Sequence, residues 1–471
     1  MSKMWLPLVR RYSTQPSSPV VGIIGSGPAA FYTAHRLFRN DPSIKIDMYE
    51  ASPVPFGLVR YGVAPDHPEV KQVEHKFTEI ATSNQFRFLG NICVGKDIPL
   101  STLSQHYDAL VYAYGSSSDK LLNIPGEHLH GVYSARQLVG WYNSDPRHQN
   151  VGLSLSRLKD LVVIGQGNVS LDIARIMLSK PEHLIPTDIN PLFVQQLYKS
   201  ALERLHIVGR RDLTSVSFTI KELRELFSLS SAKFLAPQYT SSLQFLSEEA
   251  LSTFDRARKR LIKLIQSKIK DAQQNPPSSD PLQNPSRSWG LEFGLTPVEI
   301  LGRNGQVEKV RFQKTETIRN ESNSSEDFVE IPAQAVVRSI GYKSVPIPGM
   351  QELGIPFDTT RGVILNNDGH IAPGMYVSGW VKNGPVGVIA STMMDSFSTA
   401  DKLYKDWLAR EPFLEGTKAG WDGIRPFLNK PVVTWKDWEV IKGHEIKNGL
   451  QHESISEKFR TWDDALRVLH K

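Results

Sequence analysis

Apolar residues fall in short unbroken runs separated by helical stretches, and the same order occurs twice. Val20–Ile24 is an apolar run that stops at Gly25, suited to a strand buried on both faces. Residues 31–39 follow a helical period, and 44–49 read as a second strand closing on Glu50. Farther along, 161–164 is an apolar run, Gly165 to Val169 a turn, 170–178 a helix, and Arg204–Val208 the next strand. Between the two repeats, 70–82 reads as a helix and 107–114 as an apolar strand ending at Gly115, where a crossing into a second domain is expected. Residues 336–342 read as a strand crossing back, 374–380 as another, 383–389 as the opening of a helix towards Leu403, and 454–470 as a closing helix. Residues 273–288 and 316–327 read as surface loops. Strands alternating with helices predict an α/β fold with parallel sheets.

Strand, tight turn, helix, strand and acid make a dinucleotide-binding unit. In the first repeat Gly25 permits the turn, and Gly27 lets backbone approach a pyrophosphate at the helix N-terminus. Ala30 stands where the pattern has its third glycine. Glu50 follows Gly25 by 25 residues and can accept from a ribose 2′-OH, which disfavours a 2′-phosphate there. In the second repeat the turn is Gly165-Gln166-Gly167-Asn168-Val169, and the strand after it ends in Gly209-Arg210-Arg211. Paired guanidinium groups at that strand end suit a 2′-phosphate, so this unit reads as NADP-binding and the first as binding FAD or NAD. The distance from Gly165 to Arg210 is longer than usual, with 181–191 read as an insertion.

Composition narrows the chemistry. The 471 residues carry a formal charge of +6, which falls to +3 without Lys3, Arg10 and Arg11 of the acid-free first 18 residues. That balance does not point to nucleic acid. No apolar run reaches the 18 residues of a membrane span. Residues 1–18 resemble a mitochondrial transit peptide, with cleavage expected near Tyr12–Ser13. Cys93 is the single cysteine. It excludes a disulfide framework, CxxC redox chemistry, a zinc ribbon and a cysteine-ligated iron–sulfur cluster within this chain. Redox chemistry therefore falls to a bound organic cofactor, and no metal ligand set is expected. Cys93 itself, in 88–94, reads as a buried small hydrophobe on a strand.

Two stretches outside the repeats carry candidate function. Residues 53–68 hold four prolines and two glycines, a stiff loop placed to run under the flavin end of a bound dinucleotide. His67 within it is expected near the flavin, hydrogen-bonded to Asp172 as the proton-handling pair; the alternative is a turn histidine capping backbone. Residues 250–272 read as one amphipathic helix with Leu251, Phe254, Ala257, Leu261, Leu264 and Ile265 on one side. Arg256, Lys259, Arg260, Lys263 and Lys270 take the other, a face suited to an acidic partner.

At this point GSGPAAFYTAHRL, YEASPVPFGLVRYGVAPDHPEVK, IPGE, SARQLVGWYN, VVIGQGNVSLDIARI, GRRDLTSVSFTIKELRE, RSIGYKS and YVSGWVKNGPVGVI resemble the mitochondrial adrenodoxin reductase (NADPH–ferredoxin reductase) family. The resemblance runs from about Val20 to the C-terminus, and VPFGLVRYGVAPDHP is its most specific part. GLVRYG also occurs in the small subunit of glutamate synthase, whose cysteine-bound clusters a one-cysteine chain cannot hold. The resemblance implies a glutathione-reductase-like flavoprotein of two Rossmann-like domains, with an FAD domain at 19–115 and 343–471 and an NADP domain at 116–342. It implies FAD contacts at Ala29, Glu50, Leu58, Val94, Trp380, Gly387, Val388 and Ile389. NADPH contacts are implied at Gln166, Gly167, Asn168, Val169, Arg210, Arg211, Glu222 and Gly387. Amides at 387–389 suit the negative charge of a reduced flavin. The implied activity is electron transfer from NADPH through FAD, one electron at a time, to an acidic [2Fe–2S] ferredoxin of adrenodoxin type. The implied setting is a monomer in the mitochondrial matrix, the matrix face of the inner membrane included. Ala30, and Asn383 in a context often more basic, are its departures from the family pattern. Two other readings stay open: an NADPH-dependent flavoenzyme reducing a small molecule or quinone, and a nucleotide-binding scaffold without turnover.

Overall fold

The computed structural model describes residues 18–240, 245–275, 286–315, 327–387 and 389–469. The expected transit peptide, all but its last residue, lies outside these, as do most of 316–327 and much of 273–288. Two compact units share the chain. One comprises the chain up to Phe56, Glu74–Ser116 and Ser344–Trp435; the other comprises Gly57–Val73, Ser117–Lys343 and Lys436–Lys471.

The first unit is built on a six-stranded sheet ordered His370–Ala372, Met375–Val377, Ala109–Tyr112, Val20–Ile24, Lys45–Tyr49, Phe86–Leu89. All its pairs are parallel except that of the first two strands. Val20–Ile24 lies centrally, with Val21 opposite Ile46 on one side and Ala109 on the other. It is covered on both faces, which explains its unbroken apolar run. The helix Pro28–Asn40 begins on Pro28, whose fixed φ suits a first helical position. It buries Phe31 against the rings of Phe77, 4.8 Å away, and Phe56, 5.4 Å away.

The second unit has its own six-stranded sheet, parallel throughout, ordered Val132–Ser134, Ala335–Arg338, Asp160–Ile164, Arg204–Val208, Arg287–Glu292, Ala232–Leu235. Leu295–Arg303, Gln306–Lys314 and Phe328–Pro332 form a separate antiparallel sheet. The stretch read as an insertion belongs to this core. Pro181–Leu184 and Pro191–Tyr198 are helices, and Leu184, Ile189, Phe193 and Leu197 are buried.

Several sequence expectations need correction. By contact, Lys436–Lys471 groups with the second unit, as does the loop segment Gly57–Val73. The long C-terminal helix is Trp435–Gln451, and the expected closing helix shrinks to Trp462–Arg467. Buried Glu445 sits on the inward face of the longer helix and disguises its apolar period. The stretch at 70–82 divides into Pro68–Lys71 and Val73–Ala81. Cys93 lies beyond its strand, which ends at Leu89, in a turn where its amide donates to Asp97 Oδ2 at 2.7 Å, and it is only half-buried. The basic stretch is two helices, Glu248–Ser252 and Arg256–Gln274. Asp255 starts the second by accepting from the amides of Ala257 and Arg258.

Candidate active site

The two glycine turns have the same construction. Gly25 takes φ +105° and Gly165 φ +124°, conformations that exclude an L side chain. A Cβ at Gly25 would stand 2.5 Å from Ala113 O, and one at Gly165 2.1 Å from Ser339 O. At Gly27 and Gly167 the opposite holds: a Cβ would meet nothing within 4 Å. These two glycines cap helices that lack any side-chain cap, so no side chain at the cap position takes up their first-turn amides. A helix start of this kind fits a pyrophosphate.

Around the first turn, the Glu50 carboxylate is fixed by four donors. Ser26 N and Oγ reach Oε2 at 3.1 and 2.7 Å, and Ser52 N and Oγ reach Oε1 at 2.9 and 3.0 Å. The acid is thus oriented at the strand end; the single Ser52 hydroxyl proton also has Val54 O at 2.8 Å, and when it turns there Oε1 keeps a lone-pair site for a ribose hydroxyl. Ala29, buried, packs against Gly379, the residue before the expected contact Trp380: a Cβ on Gly379 would lie 2.5 Å from Ala29 Cβ. Asp395 fixes the Gly379–Trp380 turn by accepting from Gly379 N at 2.8 Å, and pairs with buried Lys382 at 2.8 Å. Val94 is buried in this unit. Gly387 has φ +88° just ahead of the helix Ile389–Ala409; Val388 lies outside the described residues. Leu58, half-buried, belongs to the second unit.

Around the second turn, Arg210 and Arg211 are exposed, and neither pairs with a carboxylate among the described residues. Their backbone is held instead: Thr315 Oγ1 donates to Arg210 O at 2.8 Å, and Gly294 N to Arg211 O at 2.9 Å. The Gln166 amide turns into the sheet end and donates to Glu292 O at 2.8 Å. Asn168 Oδ1 accepts from Thr219 N at 2.8 Å, and Thr219 caps the helix Ile220–Phe227 that carries Glu222. Val169 is half-buried against the core.

His67, Asp172 and Glu222 are brought into one cluster, but not by the expected bond. His67 Nε2 is 2.8 Å from Glu225 Oε2 and 3.9 Å from Glu222 Oε2. Asp172 is paired instead with Arg175 at 2.9 Å. The buried Arg175 guanidinium takes Asp66 in bidentate fashion, at 2.6 and 2.9 Å, and lies 3.5 Å from both Glu222 and Glu225. Four carboxylates share one guanidinium. Burial pushes the Asp172 carboxyl above its usual range, with Arg175 opposing. Burial, and then the Asp172 charge, push Glu222 up as well. For Asp66 burial is outweighed, and Arg175 holds it below the usual range. Arg175 and Glu225 were missed from sequence, though Arg175 stands one helical turn after Asp172 and Glu225 one turn after Glu222.

On the basic helix, Arg256, Arg260 and Lys263 are exposed and Lys259 is half-buried. Glu248 of the preceding short helix pairs with Lys263 at 2.6 Å and Lys259 at 3.7 Å. The buried side is Leu261, Ile262, Ile265, Gln266 and Ile269; Ala257 is exposed.

Two parallel-sheet units, each with a glycine turn at an uncapped helix start, define a flavin- and pyridine-nucleotide-dependent oxidoreductase. A family model described as pyridine nucleotide-disulphide oxidoreductase matches residues 19–186. The chain is 61% identical, over 98% of each sequence, to a probable mitochondrial NADPH:adrenodoxin oxidoreductase of Schizosaccharomyces pombe. It is 40% identical to the mitochondrial NADPH:adrenodoxin oxidoreductase of Homo sapiens, over 97% of this chain and 93% of that one. A solved structure of Mycobacterium tuberculosis FprA in complex with NADPH superposes with TM-score 0.86 at 34% identity, covering 96% of this chain and 100% of that chain. The chain belongs to the NADPH:adrenodoxin oxidoreductase family.

Proposed function

We propose that this chain is a mitochondrial FAD-dependent reductase that takes a hydride from NADPH and passes electrons singly to a [2Fe–2S] ferredoxin of adrenodoxin type. The carrying observation is the asymmetry between two alike turns: a carboxylate, Glu50, at the strand end of the first and, at that of the second, two exposed guanidinium groups, Arg210 and Arg211, with no carboxylate partner among the described residues. FAD, when bound, supplies the conversion of a two-electron donor into one-electron steps.

The residues bind and orient. The helix amides after Gly27 hold the FAD pyrophosphate, and Glu50 accepts from its ribose. Ala29, Val94, Leu58, Trp380, Gly387, Val388 and Ile389 complete that contact set. The amides after Gly167, with Gln166, Asn168 and Val169, hold the NADPH pyrophosphate, while Arg210 and Arg211 fork onto its 2′-phosphate. His67 and Asp172 hold and move the proton released as the flavin cycles, with Glu225 fixing His67 Nε2 and Glu222 taking the nicotinamide end. Arg256, Lys259, Arg260 and Lys263 receive an acidic face of the ferredoxin. The enzyme acts as a monomer in the matrix, at the matrix face of the inner membrane or free of it; among the described residues no helix is long and apolar enough to cross a membrane.

The test is an electron-transfer assay. NADPH should bleach the yellow protein, and cytochrome c should be reduced only when a ferredoxin is added. Bleaching with ferredoxin-independent reduction of quinones would replace the carrier by a small acceptor. Absence of bleaching would leave only nucleotide binding.

A further inference from the structure

The segment Gly57–Val73 carries Leu58, Asp66 and His67, and it is anchored at both ends by buried ionic joints. At the first joint, Arg60 donates to Glu445 Oε1 at 2.5 Å; both side chains are less than a tenth exposed. The Arg60 guanidinium lies 5.0 Å from the ring centres of both Tyr61 and Trp438, and Tyr61 meets the edge of Trp462. The same Glu445 oxygen accepts from Phe459 N at 3.1 Å. At the second joint, Lys71 Nζ donates to both oxygens of Asp188, at 2.7 and 2.8 Å. Buried Lys458 donates to Asp188 Oδ2 at 2.6 Å and to its backbone O at 3.2 Å. Trp438, Glu445, Lys458, Phe459 and Trp462 all belong to the terminal segment Lys436–Lys471, which shares this unit with the loop.

Buried ion pairs are weak devices for stability, because desolvation consumes most of the attraction. They are strong devices for position: a guanidinium over two rings with one carboxylate partner tolerates little displacement, whereas an apolar contact slides. Asp66 and His67 lie between the joints, and their alignment on Arg175 and Glu225 demands accuracy of a few tenths of an ångström. We infer that the C-terminal segment is a brace for the reacting loop, and that Glu445 and Lys458 are positioning residues that act through His67. This inference rests on the proposed role of His67 in NADPH-driven flavin turnover.

Stopped-flow reduction of the FAD-loaded enzyme by NADPH tests it, using E445Q, K458M and H67Q alone and paired with H67Q. E445Q and K458M should keep full flavin content, bind NADPH within about two-fold of wild type, and reduce flavin on the order of 10-fold more slowly, as small misplacements do. Their pH profiles should shift towards that of H67Q. Added to H67Q, either substitution should cost no further rate, because residues acting through one group are not additive. K458R, which keeps the cation, should recover most of the loss when rates are compared below pH 7, where Lys458 itself is charged. If E445Q does not accumulate as folded holoenzyme, K458M at the other joint decides alone. Normal rates with only a lowered melting temperature, or losses that multiply with H67Q, would overturn the brace. A wild-type enzyme that NADPH does not bleach would instead overturn the functional reading beneath it.

Discussion

His67 Nε2 stands 2.8 Å from Glu225 Oε2, and this bond gives the imidazole an anionic partner at one nitrogen. H67Q removes the proposed proton carrier. It should slow ferredoxin-linked turnover with FAD still bound and flatten the pH–rate profile. E225Q should shift that profile without abolishing it. Unchanged rates and pH profile in H67Q would remove the histidine from the mechanism.

Coenzyme choice should rest on Arg210 and Arg211. Each charge-assisted hydrogen bond to a 2′-phosphate contributes about 1.5–3 kcal/mol. Among the described residues neither arginine has a carboxylate partner to lose, so R210A/R211A should not disturb the fold. NADPH-dependent kcat/KM should fall steeply and NADH-dependent activity stay near wild type. Equal losses for both coenzymes would point to a folding defect instead.

The basic helix should divide into strong and weak contributors. Glu248 already pairs with Lys259 and Lys263, whereas Arg256 and Arg260 are exposed. R256E/R260E should therefore raise the ferredoxin KM more than K259E/K263E. The effect should fade with added salt, since exposed charges are screened within about 8 Å at physiological ionic strength. Reduction of small artificial acceptors by NADPH should not change. Wild-type ferredoxin kinetics in R256E/R260E at low salt would place docking elsewhere.

Asp172 predicts a stability change of definite sign. Its folded-state pKa is raised by burial, so the folded protein binds more protons than the unfolded chain above the ordinary carboxyl range. Stability contributed by this group is lost as pH rises through the folded pKa. D172N should accordingly match or exceed wild type in denaturant unfolding at pH 7, with the difference shrinking as pH is lowered. A large loss at pH 7 would show that the Arg175 ion pair outweighs burial.

Lys458 carries the complementary case. Burial, against the pull of Asp188, lowers its pKa to about 7. Between pH 7 and the ordinary lysine range the unfolded chain holds a proton that the folded one has released, so stability rises with pH across that window. Unfolding free energies at pH 6.5, 8 and 9.5 should favour wild type over K458M increasingly with pH. A constant difference would mean that Lys458 stays charged throughout.

The central strands of both sheets and both glycine turns were legible because backbone geometry constrains them, whereas strands such as Ala232–Leu235 and Arg287–Glu292 were not read. Gly25 and Gly165 leave no room for a side chain, and strands covered on both faces must be apolar. The two helix starts were legible for a different reason: Gly167 stands in sequence as Gly27 does, each with open space where a side chain would be. What escaped was long-range polar pairing. Nothing in the chain order says that Arg175 will gather Asp66 from a loop over 100 residues earlier. Glu445 misled the reading of its helix because a buried charge at an inward position looks polar until its partner, Arg60, is known. The contacts of Lys436–Lys471 were hidden by the same blind spot: its anchors are ion pairs, not a periodic apolar stripe.

Both dinucleotide helices start on glycines that bring no capping side chain. In the proposed reading a nucleotide phosphate completes each helix end, and a ligand held by the folded chain alone stabilises it in proportion to the logarithm of its concentration over Kd. Loading and folding become one equilibrium. In a cell the amount of this enzyme would follow the supply of flavin, because chains made faster than FAD arrives remain easier to unfold and are cleared by proteases. Riboflavin shortage would show first as less protein, and only later as slower turnover of what remains.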